Sequence, residues 1–385
     1  MVSCTKCERK EGIVKSGFLR GKQRYHCKDC GIYFTLEFDD ITRNNRTHQV
    51  TIIDIAKLLG VAPSTVSRAL NNKSEINANT RQEILRVANE LDYKPNLLAQ
   101  SLNSGETHTI GVIIPNIERP FFAGVLAGIQ EVASNSGYRV MICQSNESHQ
   151  TEIQNIQALI TSRVDGLLLS HSKETNTYDH IRPYVDKRMP IVHFDRVCNE
   201  LHTSKVILED FKGSFDLVEH LILQGCKRVA IVIGPQQLLI CKTRLEGYKA
   251  ALQKNGFEID EALIFQGSFK KDDSIRAFAY FMSLPNPPDG IFAMFYQNAI
   301  EMMVQAKKAD IKIPRELAFV GFGGELIAEL FEPSLTVFQQ FPFLIGETAA
   351  RIILQNIATK ENFVPYTQTV RGELIIRDSS LKSNC

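Results

Sequence analysis

Four cysteines open the chain in two pairs, "CTKC" at residues 4–7 and "CKDC" at residues 27–30, with 19 residues between the pairs. Two residues between partners let each pair wrap one edge of a metal ion. Cys4, Cys7, Cys27 and Cys30 therefore match the spacing of a tetrahedral Cys4 zinc site. Four thiolates fill such a site and leave no open position, so the expected zinc is structural. The competing readings are two disulfides, which a reducing cytoplasm disfavours, and a redox CxxC, which has no use for a second copy. Cys143, Cys198, Cys226, Cys241 and Cys385 are scattered singly and read as small buried hydrophobes or free thiols.

No second constellation suggests a reaction. There is no G-x-S-x-G elbow and no phosphate-cradling loop, and "GFGGE" lacks the third glycine of a dinucleotide fingerprint. The nine histidines are dispersed. Without a convergent acid, base or nucleophile the chain is expected not to be an enzyme. Charge points to recognition instead. Residues 1–105 hold 16 Lys+Arg against 11 Asp+Glu, so of the chain's 44 and 43 the remainder holds 28 and 32. A basic front ahead of an acidic body suits a polyanionic partner. No apolar run is long enough to span a bilayer, and "MVSCTKCERKEG" is too polar for a secretory signal, so the expected location is the cytoplasm, with no membrane partner.

The elements that must hold these residues can be read in order. "FLRGKQRYHC" and "GIYFTLEF" read as two strands meeting through the second cysteine pair, with Gly31 at a positive-φ corner and Ile32, Phe34, Leu36 and Phe38 on one face. Arg20, Lys22 and Arg24 recur at a spacing of two, which places them on one strand face, to lie against phosphates or in solvent. Through "GKQRYHCKDCGIYF" this segment resembles the N-terminal zinc ribbon of some insertion-sequence transposases, which implies contact with nucleic acid or protein and no chemistry. The ribbon is assigned residues 1–38. Residues 39–49, "DDITRNNRTHQ", lack apolar periodicity and read as a flexible linker.

Residues 50–95 then carry three short helices. Thr51 caps the first, with Asp54 completing a capping-box-like pair; Gly60 ends it. Pro63 suits the first turn of a second helix running to about Leu70, and Asn77 caps a third that carries Ile84, Leu85, Val87, Ala88 and Leu91. A helix, a glycine turn and a short Ser/Thr/Arg-rich helix make a helix-turn-helix.

The V-T, D-I-A, G-V, S-T-V-S-R and Y-x-P-N pattern from Val50 to Leu102 closely resembles the DNA-binding head of the lac repressor (LacI/GalR) family. The resemblance implies that Pro63, Ser64 and Arg68 aim at base edges in the major groove. It places Thr51, Thr65, Ser67, Asn71, Asn77 and Thr80 near phosphates. Residues 96–108 match the family's hinge, where Leu102 corresponds to a leucine wedged between base pairs in the minor groove; a plain amphipathic linker is the alternative. One departure is Ala62, which stands where the family usually has a capping Ser.

From residue 109 on, apolar strand-like runs ("TIGVIIP", "YRVMICQS", "DGLLLS", "PIVHFD", "KVILED", "RVAIVIGP", "DGIFAMF", "LAFVGF") alternate with helical stretches, the pattern of parallel sheets covered on both faces. The fold class is therefore multidomain: a small β zinc ribbon, an all-α helix-turn-helix head with hinge helix, and a two-lobed α/β domain resembling periplasmic binding proteins. The N-lobe is placed at about 109–203 plus 337–365, and the C-lobe at about 204–336 plus 366–378. "PNIERPFFAGVLAGI", "HFDR", "TRLEGYKAAL", "IPRELAFVGF" and "EPSLTVFQQ" follow the order of the family's effector domain. That resemblance implies that Phe121 and Phe122 line the pocket, that Arg196 stands at the cleft edge and that Arg244 grips the effector. Core packing is the alternative for the two rings, and pairing with a nearby acid is the alternative for Arg244.

Sugar-binding members usually carry N-D and a Gly-Phe-Asp where this chain has Phe295, Tyr296 and Gly323, and Arg119 replaces an Asn before Pro-Phe-Phe. Fewer acids, more rings and three arginines predict an anionic or aromatic effector. The whole reads as a transcriptional regulator, a repressor binding a palindromic double-stranded DNA operator as a homodimer under control of a small-molecule effector. The alternative is a regulator with no small-molecule effector, whose ribbon recruits a protein.

Overall fold

The computed structural model describes residues 3–4, 6–19, 22–35, 50–71, 75–94, 106–270, 272–324 and 326–382. Arg20, Leu36, Phe38, the linker at 39–49 and almost all of the hinge, including Leu102, lie outside them. The chain divides into two units, residues 1–100 and 101–385.

In the first unit, β1 (Ile13–Leu19), β2 (Lys22–Cys27) and β3 (Tyr33–Thr35) form an antiparallel sheet in that order, with a register shift between Lys15 and Phe18. Its small core gathers Cys4, Cys27 and Phe34. Gly31 takes φ 69°, the left-handed corner expected of it. Three helices follow: α1 (Ile52–Leu59), α2 (Pro63–Leu70) and α3 (Ala78–Glu90). The Asp54 carboxylate accepts from the Thr51 backbone N–H at 2.9 Å and from its hydroxyl at 2.7 Å, which ties down the start of α1. Gly60 closes it at φ 67°. Ala62 gives α2 no side-chain cap, as its type requires, and Pro63 supplies the fixed φ instead. Asn77 accepts from the Asn79 N–H at 2.9 Å and caps α3. Ile55, Ala56, Val66, Ala69, Ile84, Val87 and Ala88 close the core between the three helices, whereas Leu85 faces solvent.

The second unit runs β4 (Thr109–Ile114), α4 (Pro120–Asn135), β5 (Arg139–Gln144), α5 (His149–Thr161), β6 (Gly166–Leu169), α6 (Arg182–Asp186), β7 (Ile191–Phe194), β8 (Ser204–Leu208), α7 (Asp210–Leu223), β9 (Val229–Ile233), α8 (Leu239–Lys254), β10 (Ile264–Gln266), α9 (Asp273–Ser283), β11 (Gly290–Ala293), α10 (Tyr296–Lys308), β12 (Ala318–Phe322), α11 (Leu326–Leu330), β13 (Thr336–Gln339), α12 (Pro342–Thr359), β14 (Thr367–Val370) and β15 (Glu373–Ile375). One sheet has the order β14-β8-β7-β6-β4-β5 and is parallel throughout. The other has the order β10-β9-β11-β12-β13-β15 and is parallel except for β15. Setting aside the late strands β14 and β15, both lobes share the doubly wound order in which the first strand lies second in the sheet.

The lobe boundaries expected from sequence need correction at three places. Ser204–Leu208 pairs with β7 and belongs to the N-lobe, Thr336–Gln339 pairs with β12 in the C-lobe, and Thr367–Val370 returns to β8 in the N-lobe. Strand partners fix lobe membership, and runs this short do not reveal their partners in the sequence. No helix among the described residues is long and apolar enough to cross a membrane.

One helix pair packs through a glycine on each side. A Cβ on Gly128 of α4 would stand 2.1 Å from the Phe343 carbonyl oxygen, and one on Gly346 of α12 2.0 Å from that of Val125. Helices α4 and α12 thereby approach backbone to backbone, which only the absence of a side chain permits. Gly346→Ala is expected to lower stability by about 1–3 kcal/mol through forced separation of the pair. Chemical denaturation checks this, and an unchanged midpoint with an unchanged slope would contradict it.

Candidate functional site

Helix α2 sorts its residues by face. Val66 and Ala69, three apart, are buried against α1 and α3. Pro63, Ser64, Arg68 and Asn71 are exposed, with Thr65 and Ser67 half-buried at the flanks. The Arg68 guanidinium lies 3.5 Å from Glu75, with both side chains more than half exposed, a pair that solvent screens and that a stronger acceptor displaces. Asn71 donates to the Ser67 carbonyl at 3.0 Å. Thr51 and Asn77 stand at the starts of α1 and α3, and Thr80 is half-buried in the first turn of α3. The expected base-reading residues thus share one exposed face, and the expected phosphate contacts sit at helix starts and flanks, where backbone N–H groups and the helix dipole favour an anion.

The four N-terminal cysteines converge. Cys4 and Cys30 sulfurs lie 3.4 Å apart, Cys7 and Cys27 3.7 Å, and all four are within 4.8 Å of one another. Zinc–sulfur bonds of about 2.3 Å in a tetrahedron imply sulfur–sulfur edges of about 3.8 Å, so the donor set fits that ion. Of the expected basic stripe only the Arg24 side chain is described; it covers the Tyr33 ring at 4.3 Å.

In the second unit the strand order dictates where a ligand could sit. The first strand of each lobe in chain order, β4 or β9, sends its crossover one way and its other neighbour the opposite way, opening a crevice beyond the strand ends. Asn116 and Arg119 follow β4, Gly234 follows β9, and Met294 and Phe295 follow β11. These residues, with Phe269, Gln297, Asn298 and others, line a cavity of ≈ 380 Å³. A deeper compartment of only ≈ 30 Å³ is walled by Arg119, Phe121, Phe122, Asp195, Arg196, Phe295, Tyr296, Gln297, Phe322 and Gln340. The two phenylalanines expected at a pocket therefore face it, Phe122 buried and Phe121 partly so; both also pack on the N-lobe core.

The arginines divide. Arg196 is buried and its two terminal nitrogens bond Glu147 at 2.6 and 3.0 Å. Burial alone would raise the Glu147 carboxyl, but the Arg196 charge and hydrogen bonds, with Arg119 beyond, hold it below its ordinary value. Arg119 lies 3.9 Å from Glu147 and over the touching rings of Phe269 and Phe295, whose centroids are 5.2 Å apart and each 5.0 Å from it. Burial and the neighbouring Arg196 push its own pKa down. Arg244 departs from expectation. It is fully buried, donates to Asp210 and to the Met294 carbonyl at 2.8 Å each, and covers Phe322 at 3.6 Å. It lines neither compartment and supports the cleft floor from behind. A buried guanidinium must be paired, and Asp210 at the start of α7 is the carboxylate within reach.

Two important residues carried no sequence signal that was used. Glu147 follows β5 beyond its C-terminal end, a position the crevice rule would have picked out. Phe269 lies in "GSFKKD" with φ 61°, held by Asp273, whose carboxylate accepts from the N–H groups of Ser268 at 2.6 Å and Lys270 at 3.0 Å. No local pattern announces it. Across the cleft, Lys173 Nζ donates to the Ser268 carbonyl at 2.9 Å and Gln237 to the Lys173 carbonyl at 2.7 Å, so the lobes meet at one rim.

With this geometry in place, comparison with known proteins is informative. Residues 51–96 match the profile of bacterial regulatory proteins of the lacI family. Residues 107–377 match that of periplasmic binding proteins and the sugar binding domain of the LacI family. The HTH-type transcriptional repressor CytR of Escherichia coli (strain K12) is 31% identical over 330 residues, 86% of this chain and 96% of that one. The NTD biosynthesis operon regulator NtdR of Bacillus subtilis (strain 168) is 33% identical over 335 residues, 86% and 99% of the two chains. Among solved structures, the lac repressor dimer bound to operator and the anti-inducer ONPF superposes with TM-score 0.79 at 23% identity, over 87% of this chain and all of that one. The transcriptional regulator CelR–cellobiose complex gives 0.65 at 26%, over 86% of this chain and all of that one.

Asp195 offers a test of the cleft's electrostatics. Its side chain is only 11% exposed, and burial raises its pKa from 3.8 to about 6 against the opposing charge of Arg196. A carboxyl raised in the folded state costs stability that is absent below the unfolded pKa and fully present above the folded one. Stability is therefore expected to fall by about 2–3 kcal/mol from this group as pH rises from 4 to above 6. Asp195→Asn keeps the φ of 60° accessible and should flatten that fall in denaturation midpoints measured across the range. Parallel profiles for the two proteins would contradict it.

Proposed function

The chain belongs to the lacI family of bacterial regulatory proteins, and from that membership we propose how its own residues carry out the family's work. It is a sequence-specific DNA-binding transcriptional regulator of the repressor type, with a helix-turn-helix head and an effector domain. The observation that carries the finer reading is the exposed face of α2. Pro63, Ser64 and Arg68 meet base edges in the major groove, while Thr51, Thr65, Ser67, Asn71, Asn77 and Thr80 hold phosphates and set register. Leu102 wedges into the minor groove between two half-sites. A homodimer presents the two heads, and exposed apolar residues, among them Leu326, Ile327 and Leu330 on α11 and Phe343 and Leu344 on α12, supply surface for a second copy.

The effector is an aromatic small molecule. The anionic part of the expectation weakens because Glu147 matches Arg196 and Asp210 matches Arg244, leaving Arg119 to be shared. Phe269 and Phe295 line the ≈ 380 Å³ cavity, Phe121, Phe122 and Phe322 wall the small compartment at its deep end, and Asn116, Gln297 and Asn298 offer hydrogen bonds. This lining speaks against the reading without an effector. The four N-terminal cysteines hold one structural zinc ion, for which their convergence is the support. The ribbon built on it lies against DNA phosphates or a protein.

In a gel-shift titration on the bound site, Arg68→Ala should lose about 1–3 kcal/mol of discrimination per half-site at a single symmetric base pair, consistent with one bidentate contact to guanine. Retention of full preference would contradict the assigned reader. Cys27→Ser should remove one equivalent of zinc per chain, measured by elemental analysis of the purified protein. Unchanged zinc content would sink the cysteine assignment.

A further inference from the structure

Behind the cleft, the N-lobe buries an unusual set of groups. His171 follows β6, His193 lies in β7 and Cys198 in the loop beyond it; their exposures are 1%, 0% and 2%. One ring nitrogen of each histidine and the Cys198 sulfur all lie within 4.8 Å of one another. The two rings are tilted by 31° with centroids 4.8 Å apart.

Hydrogen bonding decides which nitrogens remain. His171 Nδ1 meets the Glu152 carboxylate at 3.1 Å and His193 Nδ1 meets the Thr203 hydroxyl at 2.7 Å. Both Nε2 atoms are buried and have no partner. Glu152 is held in turn by the Ser172 N–H at 2.6 Å, the Thr175 hydroxyl at 3.0 Å and His180 Nε2 at 3.0 Å. Buried polar atoms are almost always satisfied, so two orphaned imidazole nitrogens beside a thiol need an explanation. A carboxylate on one ring nitrogen with the other left as a bare lone pair is how proteins orient a metal-ligating histidine. The adjacent group of His149, Glu152 and His180 differs, because its carboxylate is already committed to hydrogen bonds.

We propose that His171, His193 and Cys198 form a zinc site inside the N-lobe, separate from the four-cysteine cluster. Two imidazoles and a thiolate are donors that suit zinc, and three protein ligands leave a fourth position for a small ligand. Tetrahedral edges of about 3.3–3.8 Å require a contraction of at most about 1.5 Å from the observed separations, within reach of side-chain rotation. The site bears on the effector cleft. His171 donates its N–H to the Arg196 carbonyl at 3.3 Å, and its own carbonyl accepts from the Arg196 guanidinium at 3.2 Å. Zinc at His171 is thereby linked through two hydrogen bonds to the arginine that pairs with Glu147.

The test uses the full chain with Cys4, Cys7, Cys27 and Cys30 all replaced by Ser, so that failure of the ribbon assignment cannot be mistaken for failure here. Titrated with Co²⁺, this chain should bind about one equivalent and develop a thiolate-to-cobalt charge-transfer band, which Zn²⁺ then abolishes. Cys198→Ala in the same background should remove the band, and His193→Gln should weaken binding at least tenfold. Absence of a saturable cobalt band in the four-serine chain, or a band that survives both substitutions, overturns the proposal. Should Cys198→Ala not fold, metal analysis of the otherwise unsubstituted four-serine chain decides: one zinc supports the site and none overturns it.

Discussion

A parallel strand buried on both faces can carry a polar group only where another buried group meets it, as Thr203 meets His193 of β7, and this constraint arranges the whole effector domain. In both sheets the central strands are buried along their full length, β4, β6 and β7 in one lobe and β9, β11 and β12 in the other. Apart from His193, charged and most polar residues are displaced to the strand ends, and in two lobes of the same strand order those ends face each other across a cleft. Arg119, Glu147, Asp195, Arg196 and Gln340 all lie just beyond strand termini for that reason. Helices must cover the sheet faces, which in turn forces the glycine-mediated approach of α4 and α12.

Charge in such a place cannot be left single. Arg196 and Arg244 are both buried, and each is matched by a carboxylate, Glu147 and Asp210. Removing one partner of such a pair costs several kcal/mol, so these pairs bind the cleft walls into fixed positions. What remains free to meet a ligand is mostly ring surface and amides. Arg119, from the N-lobe, lies over the rings of Phe269 and Phe295 of the C-lobe and so joins the two cleft walls.

How much of this was legible in the sequence depends on how local the cause is. The head was legible nearly to the residue: Thr51, Gly60, Pro63 and Asn77 act through their immediate neighbours, and the helices begin and end where those types require. The cysteine spacing likewise predicted convergence of four sulfurs. Legibility failed where the cause is distant in the chain. Arg244 pairs with Asp210, 34 positions away, and only the fold reveals that pair. The lobe boundaries failed similarly, since β8, β13 and β14 are assigned by partners far along the chain. Phe269 and the His171–His193–Cys198 group have no local pattern; loop geometry and tertiary burial bring them to their places.

The central claim is that two copies of one reading head, each centred on α2, recognise DNA together. Selection of bound sequences from a random duplex library by the full chain tests this most directly. The account predicts enrichment of a two-fold symmetric site with half-sites about one helical turn apart. Enrichment of a single asymmetric element, or none over the starting library, would contradict it.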